Sequence, residues 1–339
     1  MRFVVTGGYG FIGSAVVREL CRQGHAVWNI DKMTYAANPD ALEGAPATNI
    51  HACITDRPAI DQVFAEANPD AVIHLAAETH VDRSIDGPAA FLRTNVEGSF
   101  VLLEAALKWW TKAGCPRDFR FVHVSTDEVF GDLDFGEDVF DAKSPYKPSS
   151  PYSASKAASD HFARAWHRTY RLPVLVTNCS NNYGPWQHDE KLIPTVISKA
   201  LSGQAIPIYG NGENIRDWLY VEDHALGLIA AATKGAPGDT ILFGGKTEWS
   251  NIDLVSVICG LLDERVPAED PYADLIEFVR DRPGHDLRYA VDTSSAVQHL
   301  GWTPRQTLSS GLSHTVDWYI QRGRLEQSKQ DDRLGLARG

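Results

Sequence analysis

Apolar runs of strand length alternate with helical periodicity through the first half of the chain. RFVVTG precedes a helical period over residues 11–23, and AVWNID precedes one over 57–67. AVIHLA precedes one over 89–111, FRFVHVS one over 152–170, and PVLVTN closes the series. Strands that are apolar at every position must be buried on both faces, so this alternation predicts an α/β fold of Rossmann type, a doubly wound parallel sheet with helices on either side. From about residue 180 the pattern turns irregular, with NNYGP, GNGEN, GAPGD and DRPGH marking turns. That stretch predicts a smaller C-terminal lobe closing over the carboxyl ends of the strands. The expected boundaries are a sheet domain over 1–180, with 215–242 returning to it, and a lobe built from 181–214 and 243–325. The polar end, 326–339, is expected to be a frayed tail. No internal repeat or low-complexity segment interrupts this plan.

Composition narrows the function classes. Forty-four acidic against 32 basic residues give a formal charge of −12, which argues against a nucleic-acid groove or an anionic membrane surface. The five cysteines, Cys21, Cys53, Cys115, Cys179 and Cys259, are scattered and show no CxxC spacing. Neither a disulfide framework nor a zinc site is expected, and no other metal. The apolar start is too short for a signal peptide, and no run of about 18 apolar residues follows. A cytoplasmic protein without membrane contact is the expectation.

Three motifs carry chemistry. TGGYGFIG lies between the first strand and the first helix and sets Gly7, Gly10 and Gly13 in a G-x-x-G-x-x-G frame. Glycines there let the backbone turn and approach a pyrophosphate held at the helix N-terminus. A lone glycine pattern is equally a tight turn; strand, loop, helix and Asp31 at the end of the second strand together point to a dinucleotide site. Asp31 would accept from the ribose hydroxyls and repel a 2′-phosphate, favouring NAD over NADP, although Lys32 beside it weakens that preference. The second motif, PYSASK, puts Tyr152 and Lys156 four apart on one helical face. An ammonium near the phenol favours phenolate, so the pair can act as a base near neutral pH. The same spacing also occurs by chance on many helices. The third, STDE, ends a buried strand with Asp127 and Glu128; a lone acidic pair is more often a solvated turn, and the strand-end position beside Tyr152 and Lys156 decides against that.

Together the glycine loop, the strand ending in Ser/Thr and the Y-x-x-x-K helix resemble the extended short-chain dehydrogenase/reductase superfamily. HLAAETHVDRSI, STDEVFGD, PSSPYSASKAASDH, TNCSNNYGP, EKLIP, IRDWLYVEDHA and DRPGHDLRYAVD closely resemble, within it, the dTDP-glucose 4,6-dehydratase family, over about residues 1–320. The resemblance implies NAD as cofactor, dTDP-glucose as substrate, a redox-neutral elimination of water giving a 4-keto-6-deoxy sugar, and a role in deoxysugar biosynthesis such as rhamnose formation. Tyr152 would be the base at the C4 hydroxyl, supported by Lys156, and Thr126 would hydrogen-bond the C4 oxygen. Glu128 would remove the C5 proton and Asp127 would protonate the departing C6 hydroxyl. For that division Asp127 must be protonated and Glu128 ionised, which burial and mutual repulsion favour.

The same resemblance assigns the remaining positions block by block. Phe11 and Ile12 lie at the pyrophosphate, Asp31, Lys32, Met33 and Thr34 at the ribose, and Cys53 and Ile54 at the adenine. Leu75, Ala76, Ala77 and Thr79 underlie the nicotinamide half, with Thr94 and Asn182 as further cofactor contacts. Thr79 and Asn181 face the hexose. Lys191, Leu192, Pro207, Tyr209, Arg216, Asn251, Arg282 and His285 match nucleoside-diphosphate positions, the two arginines as guanidinium partners of the pyrophosphate. A homodimer is implied through the helices at 89–111 and 152–170, with Val101, Leu102, Trp109, Phe162 and Trp166 available to the seam.

Departures from the family pattern fall at Cys53, where an Asp accepting from adenine is usual, at Thr79 for Ser, Phe130 for Tyr, and His188–Asp189 for Phe-Pro. Cys is a poor acceptor, so either adenine affinity falls or Asp56 compensates. Other readings are a dehydratase of another nucleotide sugar such as UDP-glucose, a 4-epimerase or decarboxylase on the same Tyr/Lys/NAD machinery, and a non-catalytic NAD sensor. Epimerases and decarboxylases generally lack the Asp-Glu pair, and a sensor has no need of all five chemical residues.

Overall fold

Strand β1 (Arg2–Thr6) leads through a glycine turn into helix α1 (Phe11–Arg22) and back into β2 (Ala26–Asp31) in a computed structural model, which describes residues 1–136, 138–281 and 285–333. The edge strand β3 (Thr48–His51) follows, then α2 (Arg57–Ala67) and β4 (Ala71–His74). Short helices α3 (Val81–Asp86) and α4 (Pro88–Phe91) run into a π-helical segment, Leu92–Gly98, that continues as α5 (Ser99–Lys112). The chain returns through β5 (Arg120–Thr126), a 3₁₀ turn at Asp127–Phe130, α6 (Pro151–Tyr170) and β6 (Val174–Cys179).

Beyond residue 180 come β7 (Asn181–Tyr183), α7 (Leu192–Leu201), β8 (Ile206–Tyr209), β9 (Ile215–Tyr220), α8 (Val221–Lys234) and β10 (Thr240–Phe243). The last elements are β11 (Glu248–Ser250), α9 (Asn251–Arg265), β12 (Ile276–Val279) and α10 (Leu308–Arg333).

Seven strands pair in parallel in the order β10-β6-β5-β4-β1-β2-β3, the doubly wound arrangement with its switch point between β1 and β4. Alternate residues of each strand feed opposite cores. Phe3, Val5, Ile73 and Val122 pack with α1 and α8, whereas Val4, Val72 and Phe121 pack with α2, α5 and α6. Burial on both faces is why these strands read as unbroken apolar runs. Strand β3, TNIH, has no apolar run because it is a mostly exposed edge.

The second lobe rests on its own core, in which Ile206 and Ile208 of β8 and Leu254 and Ile258 of α9 pack against Leu312 and Val316 of α10. Its strands form a β11-β9-β7 sheet and a parallel β12-β8 pair. Residues 221–243 cross back, α8 onto β4 and β5 and β10 onto β6. Helix α10 extends through Arg333, so residues 326–333, expected in the tail, are helical; that stretch is rich in good helix formers and holds no Gly or Pro. Residues 334–339 lie outside the described residues.

The expected dimer seam needs correction. Leu102, Val101 and Trp166 are buried in the core on the α5/α6 face of the sheet, because positions 101–103 and 105–106 cover more than half the circumference of α5 and pack among α2, α6 and the sheet. The aromatic face left open is Phe100 at 39% exposure and Phe162 at 37%, with Phe100 edge-on to Trp166 at 5.8 Å.

Candidate active site

The glycine loop shows why its residue types are required. Gly7 has φ +75°, and a Cβ there would lie 2.8 Å from Ala76 N at the end of β4. A Cβ on Gly13 would sit 2.0 Å from the Gly7 carbonyl oxygen. The N-terminus of α1 has neither a side-chain cap nor an acid in its first turn, so its amide groups are left for an anion. Asp31 stiffens the loop: Oδ2 accepts from Tyr9 N at 3.0 Å and Oδ1 from Met33 N at 2.8 Å. Each oxygen keeps a lone pair for a ribose hydroxyl. Across the switch point Thr6 Oγ1 accepts from Leu75 N at 3.2 Å and Ala76 N at 3.1 Å and bonds His74 at 2.7 Å, fixing the opposite wall. These features fit a dinucleotide.

One cleft of about 300 Å³ runs from this loop to the end of β5. Gly7, Gly10, Phe11, Ile12, Gly13, Asp31, Lys32, Thr34 and Ile54 line one part, with Leu75, Ala76, Ala77, Thr79 and Thr94 opposite. Thr126, Asp127, Glu128, Tyr152 and Lys156 stand at its inner end, and Asn181, Asn182 and Lys191 close it from the second lobe.

The inner end is dry. Asp127 is 2% exposed; its Oδ1 accepts from the Thr126 hydroxyl at 3.3 Å and its Oδ2 has no partner. Burial, then the charge of Glu128, then that of Asp217 on β9, push the Asp127 carboxyl well above its ordinary value, so it holds its proton. Asp217 itself is pushed up to about 6 by burial. The Thr126 hydroxyl also caps the 3₁₀ turn, accepting from Glu128 N at 3.3 Å. That cap turns the strand sharply at Asp127, so the two carboxyl groups leave it in different directions, and only Glu128 remains partly exposed. Lys156 donates to Val124 O at 2.8 Å. The Tyr152 phenol departs from the direction expected of a Tyr/Lys pair. Burial first and the Glu128 carboxylate second push it well above its ordinary value, with hydrogen bonding to Thr126 acting the other way.

Some assigned residues lie elsewhere. The Met33 side chain points outward. Cys53 Sγ bonds Thr55 Oγ1 at 3.1 Å, and neither Cys53 nor Asp56 lines the cleft. Asp56 is the N-cap of α2, its Oδ1 accepting from Ala59 N at 3.2 Å. Leu192, Pro207, Tyr209, Arg216, Asn251 and His285 also lie outside the cleft lining. Pro207 and Tyr209 occupy the outward face of β8, Tyr209 edge-on to His285 at 6.2 Å. Arg216 is buried, donating to Ile215 O at 2.7 Å and Asp286 O at 2.8 Å, with its guanidinium 4.5 Å over the Tyr289 ring. Arg282 lies outside the described residues.

Sequence reasoning missed Glu78, Cys179, Gln187, His188 and Glu190, all in the lining. Glu78 accepts from Lys32 Nζ at 3.1 Å, and Lys32 Nζ also reaches Thr94 Oγ1 at 3.2 Å. Glu190 draws Tyr35 (3.3 Å) and Arg83 (3.3 Å) of the sheet domain onto the second lobe, and Lys191 Nζ reaches Thr79 O at 3.4 Å. Both acids stand in quoted blocks, which was the available signal; their partners are too distant in sequence to read.

Comparison with known proteins agrees with this geometry. The family model described as GDP-mannose 4,6 dehydratase matches residues 4–315. The chain is 53% identical over 335 residues to "dTDP-glucose 4,6-dehydratase 1" of Escherichia coli strain K12, covering 94% of this chain and 93% of that one. It superposes on a dTDP-glucose 4,6-dehydratase from Streptomyces venezuelae solved with NAD bound, at TM-score 0.86 and 41% identity, covering 96% and 98% of the two chains. A dTDP-glucose 4,6-dehydratase from Bacillus anthracis in complex with NAD gives TM-score 0.84 and 36% identity over the same shares.

Proposed function

The chain belongs to the GDP-mannose 4,6 dehydratase family, and from that premise we propose that it is an NAD-dependent dTDP-glucose 4,6-dehydratase, converting dTDP-glucose to dTDP-4-keto-6-deoxyglucose and water. The observation that carries the reading is the Asp127–Glu128 pair at the end of β5, in one cleft with Thr126, Tyr152 and Lys156. The glycine loop and Asp31 would hold NAD, which would supply a hydride acceptor for C4 and a donor for C6, so that no cofactor would be consumed overall.

The protein's own residues manage the protons. Tyr152 Oη, whose ionisation burial and Glu128 oppose and the Lys156 ammonium and the positive charge of bound NAD would favour, takes the proton of the C4 hydroxyl while Thr126 hydrogen-bonds the same oxygen. The C4 ketone acidifies the C5 proton, which the Glu128 carboxylate removes and returns to C5 when C6 is reduced. Asp127 gives its proton to the C6 hydroxyl, which leaves as water; a carboxyl that stays protonated in a dry pocket suits that step. Thr79 and Asn181 hold the hexose. The nucleoside diphosphate lies on Lys191, Leu192, Pro207, Tyr209, Arg216, Asn251 and His285, a role for which the outward face of β8 and its ring contact to His285 are support.

Two copies pair through α5 and α6, for which the exposed Phe100 and Phe162 are support. Five free cysteines favour a cytoplasmic location. Among the described residues no helix is long and apolar enough to cross a membrane. The test is incubation with NAD and either dTDP-glucose or UDP-glucose, followed by mass spectrometry. Loss of water from dTDP-glucose in preference to UDP-glucose is expected; a stable 4-keto-hexose with stoichiometric NADH release refutes the reading.

A further inference from the structure

Behind the reacting end of the cleft lies a second polar cluster, centred on a fully buried carboxylate that no step above uses. Its centre is Asp160, on α6 one turn beyond Lys156 and two turns beyond Tyr152, on the same helical face. Asp160 has no exposed surface. Its Oδ2 accepts from Ser125 Oγ at 2.8 Å and Tyr146 OH at 2.8 Å, with Asn178 Nδ2 at 3.5 Å, and its Oδ1 lies 3.1 Å from Nε2 of His123. Ser125 immediately precedes Thr126, and Asn178 Nδ2 also donates to Thr126 O at 2.9 Å. This carboxylate therefore grips both strands at the point where β5 delivers Thr126 to the cleft.

An anion without solvent contact is costly unless a cation shares its space. The titratable groups facing the cluster are Lys156, Arg164 and, against the Tyr146 ring at the exposed side of α6, His161, with His123 on β5, His74 on β4, Tyr146 before α6 and Cys179 on β6. His74 and His123 are pushed down by burial and stay neutral, and burial pushes Tyr146 and Cys179 up, so they stay neutral too. Arg164 sits over the outer face of the Tyr146 ring, 4.9 Å from its centre. Lys156, wholly enclosed, is the cation left inside. The influence is mutual. Burial pushes the Lys156 ammonium down and Asp160 opposes it. Burial alone would raise the Asp160 carboxyl; the interactions with His123 first, and the charge of Lys156 after them, overcome that.

We propose that Asp160 is a positioning residue for this reaction: the buried counter-ion that keeps Lys156 charged behind Tyr152 while holding the strand end that presents Thr126. It acts through Lys156 and touches no substrate. The proposal rests on the reading of Tyr152 and Lys156 as the base and its support.

Asp160→Asn keeps the shape and removes the charge. Lys156 then loses its proton at lower pH, so the alkaline limb of the pH profile for transient NADH formation with dTDP-glucose moves down by at least about one unit, roughly a tenfold loss of rate above the limb. Tyr146→Phe removes one hydrogen bond to Asp160 but not its charge, and leaves the limb in place. An unmoved limb in Asp160→Asn overturns the proposal, as does an equal movement in Tyr146→Phe, which would trace the effect to the hydrogen-bond frame. Thermal unfolding gives a readout independent of turnover. Lys156→Met and Asp160→Asn each lower Tm, and the double variant regains part of the loss; additive losses overturn the pairing. If Asp160→Asn does not fold alone, the double variant decides: a folded double variant supports the pairing, an unfolded one refutes it. Failure of the unsubstituted protein to form any NADH from dTDP-glucose counts against the functional reading, and the unfolding cycle still measures the pair.

Discussion

Replacing each carboxylic acid at the end of β5 by its amide should stop the reaction after C4 oxidation and before water leaves. Asp127→Asn and Glu128→Gln change no shape, and the C4 step uses Tyr152, so hydride transfer to NAD survives in both. A positioned acid or base is worth about 100- to 10,000-fold, or about 3 to 5 kcal/mol in the barrier. The structure places the two residues differently within that range. Asp127 is 2% exposed, and its Oδ2 has no hydrogen-bond partner among the described residues. Burial restricts water from substituting, so Asp127→Asn falls toward the 10,000-fold end. Glu128 is partly exposed, so water can serve as a poor base and Glu128→Gln falls toward 100-fold. Rapid mixing of NAD-loaded protein with dTDP-glucose, read at the reduced-cofactor absorbance, should show a signal that decays within turnover for the unsubstituted protein and persists in both variants. Tyr152→Phe, the control, should give no signal. Dehydration at the unsubstituted rate in both amide variants would show the pair to be an acidic turn and refute the reasoning.

Gly13→Ala should abolish NAD binding in a calorimetric titration, since its Cβ would lie 2.0 Å from Gly7 O; binding within about tenfold of the parent would refute the tight-loop account. Asp217 carries a raised pKa, about 6 against an ordinary 3.8, so its neutral form stabilises the fold fully below pH 3.8 and that contribution is lost as pH rises through 6. The loss amounts to about 3 kcal/mol, and Asp217→Asn, which can keep the acceptor for Thr247 N, should remove it. Thermal unfolding at pH 4 and pH 7 should therefore show Asp217→Asn gaining on the parent as pH rises, and parallel curves would contradict this. Phe100→Asp with Phe162→Asp should shift a dimer to monomers in sedimentation, whereas an unsubstituted protein that is monomeric at micromolar concentration would sink the α5/α6 pairing outright.

The sequence by itself determined what depends on near neighbours. Residues within one helical turn or a few strand positions fix periodicity, so the alternation of buried strands and helices was legible, and with it the parallel sheet. Gly7, Gly10 and Gly13, Tyr152 with Lys156, and Asp127 with Glu128 each lie within a few residues of one another, and their spacing, read with the strands and helices that flank them, states what they could do. Strand β3 was illegible because a mostly exposed edge carries no apolar run. The open side of α5 and α6 was illegible because periodicity shows that a helix has a buried face and says nothing of what covers the other. Tertiary structure alone decided the electrostatics. Asp127 keeps its proton first because the fold encloses it, then because of Glu128 beside it in sequence, and then because the fold brings up Asp217 from β9. Asp160 meets Ser125 across 35 residues, Lys191 meets Thr79 across 112, and Tyr35 meets Glu190 across 155. The physical reason is that charge and hydrogen bonding act through space and strengthen where water is excluded, and which residues share a dry space is settled only when distant segments have packed.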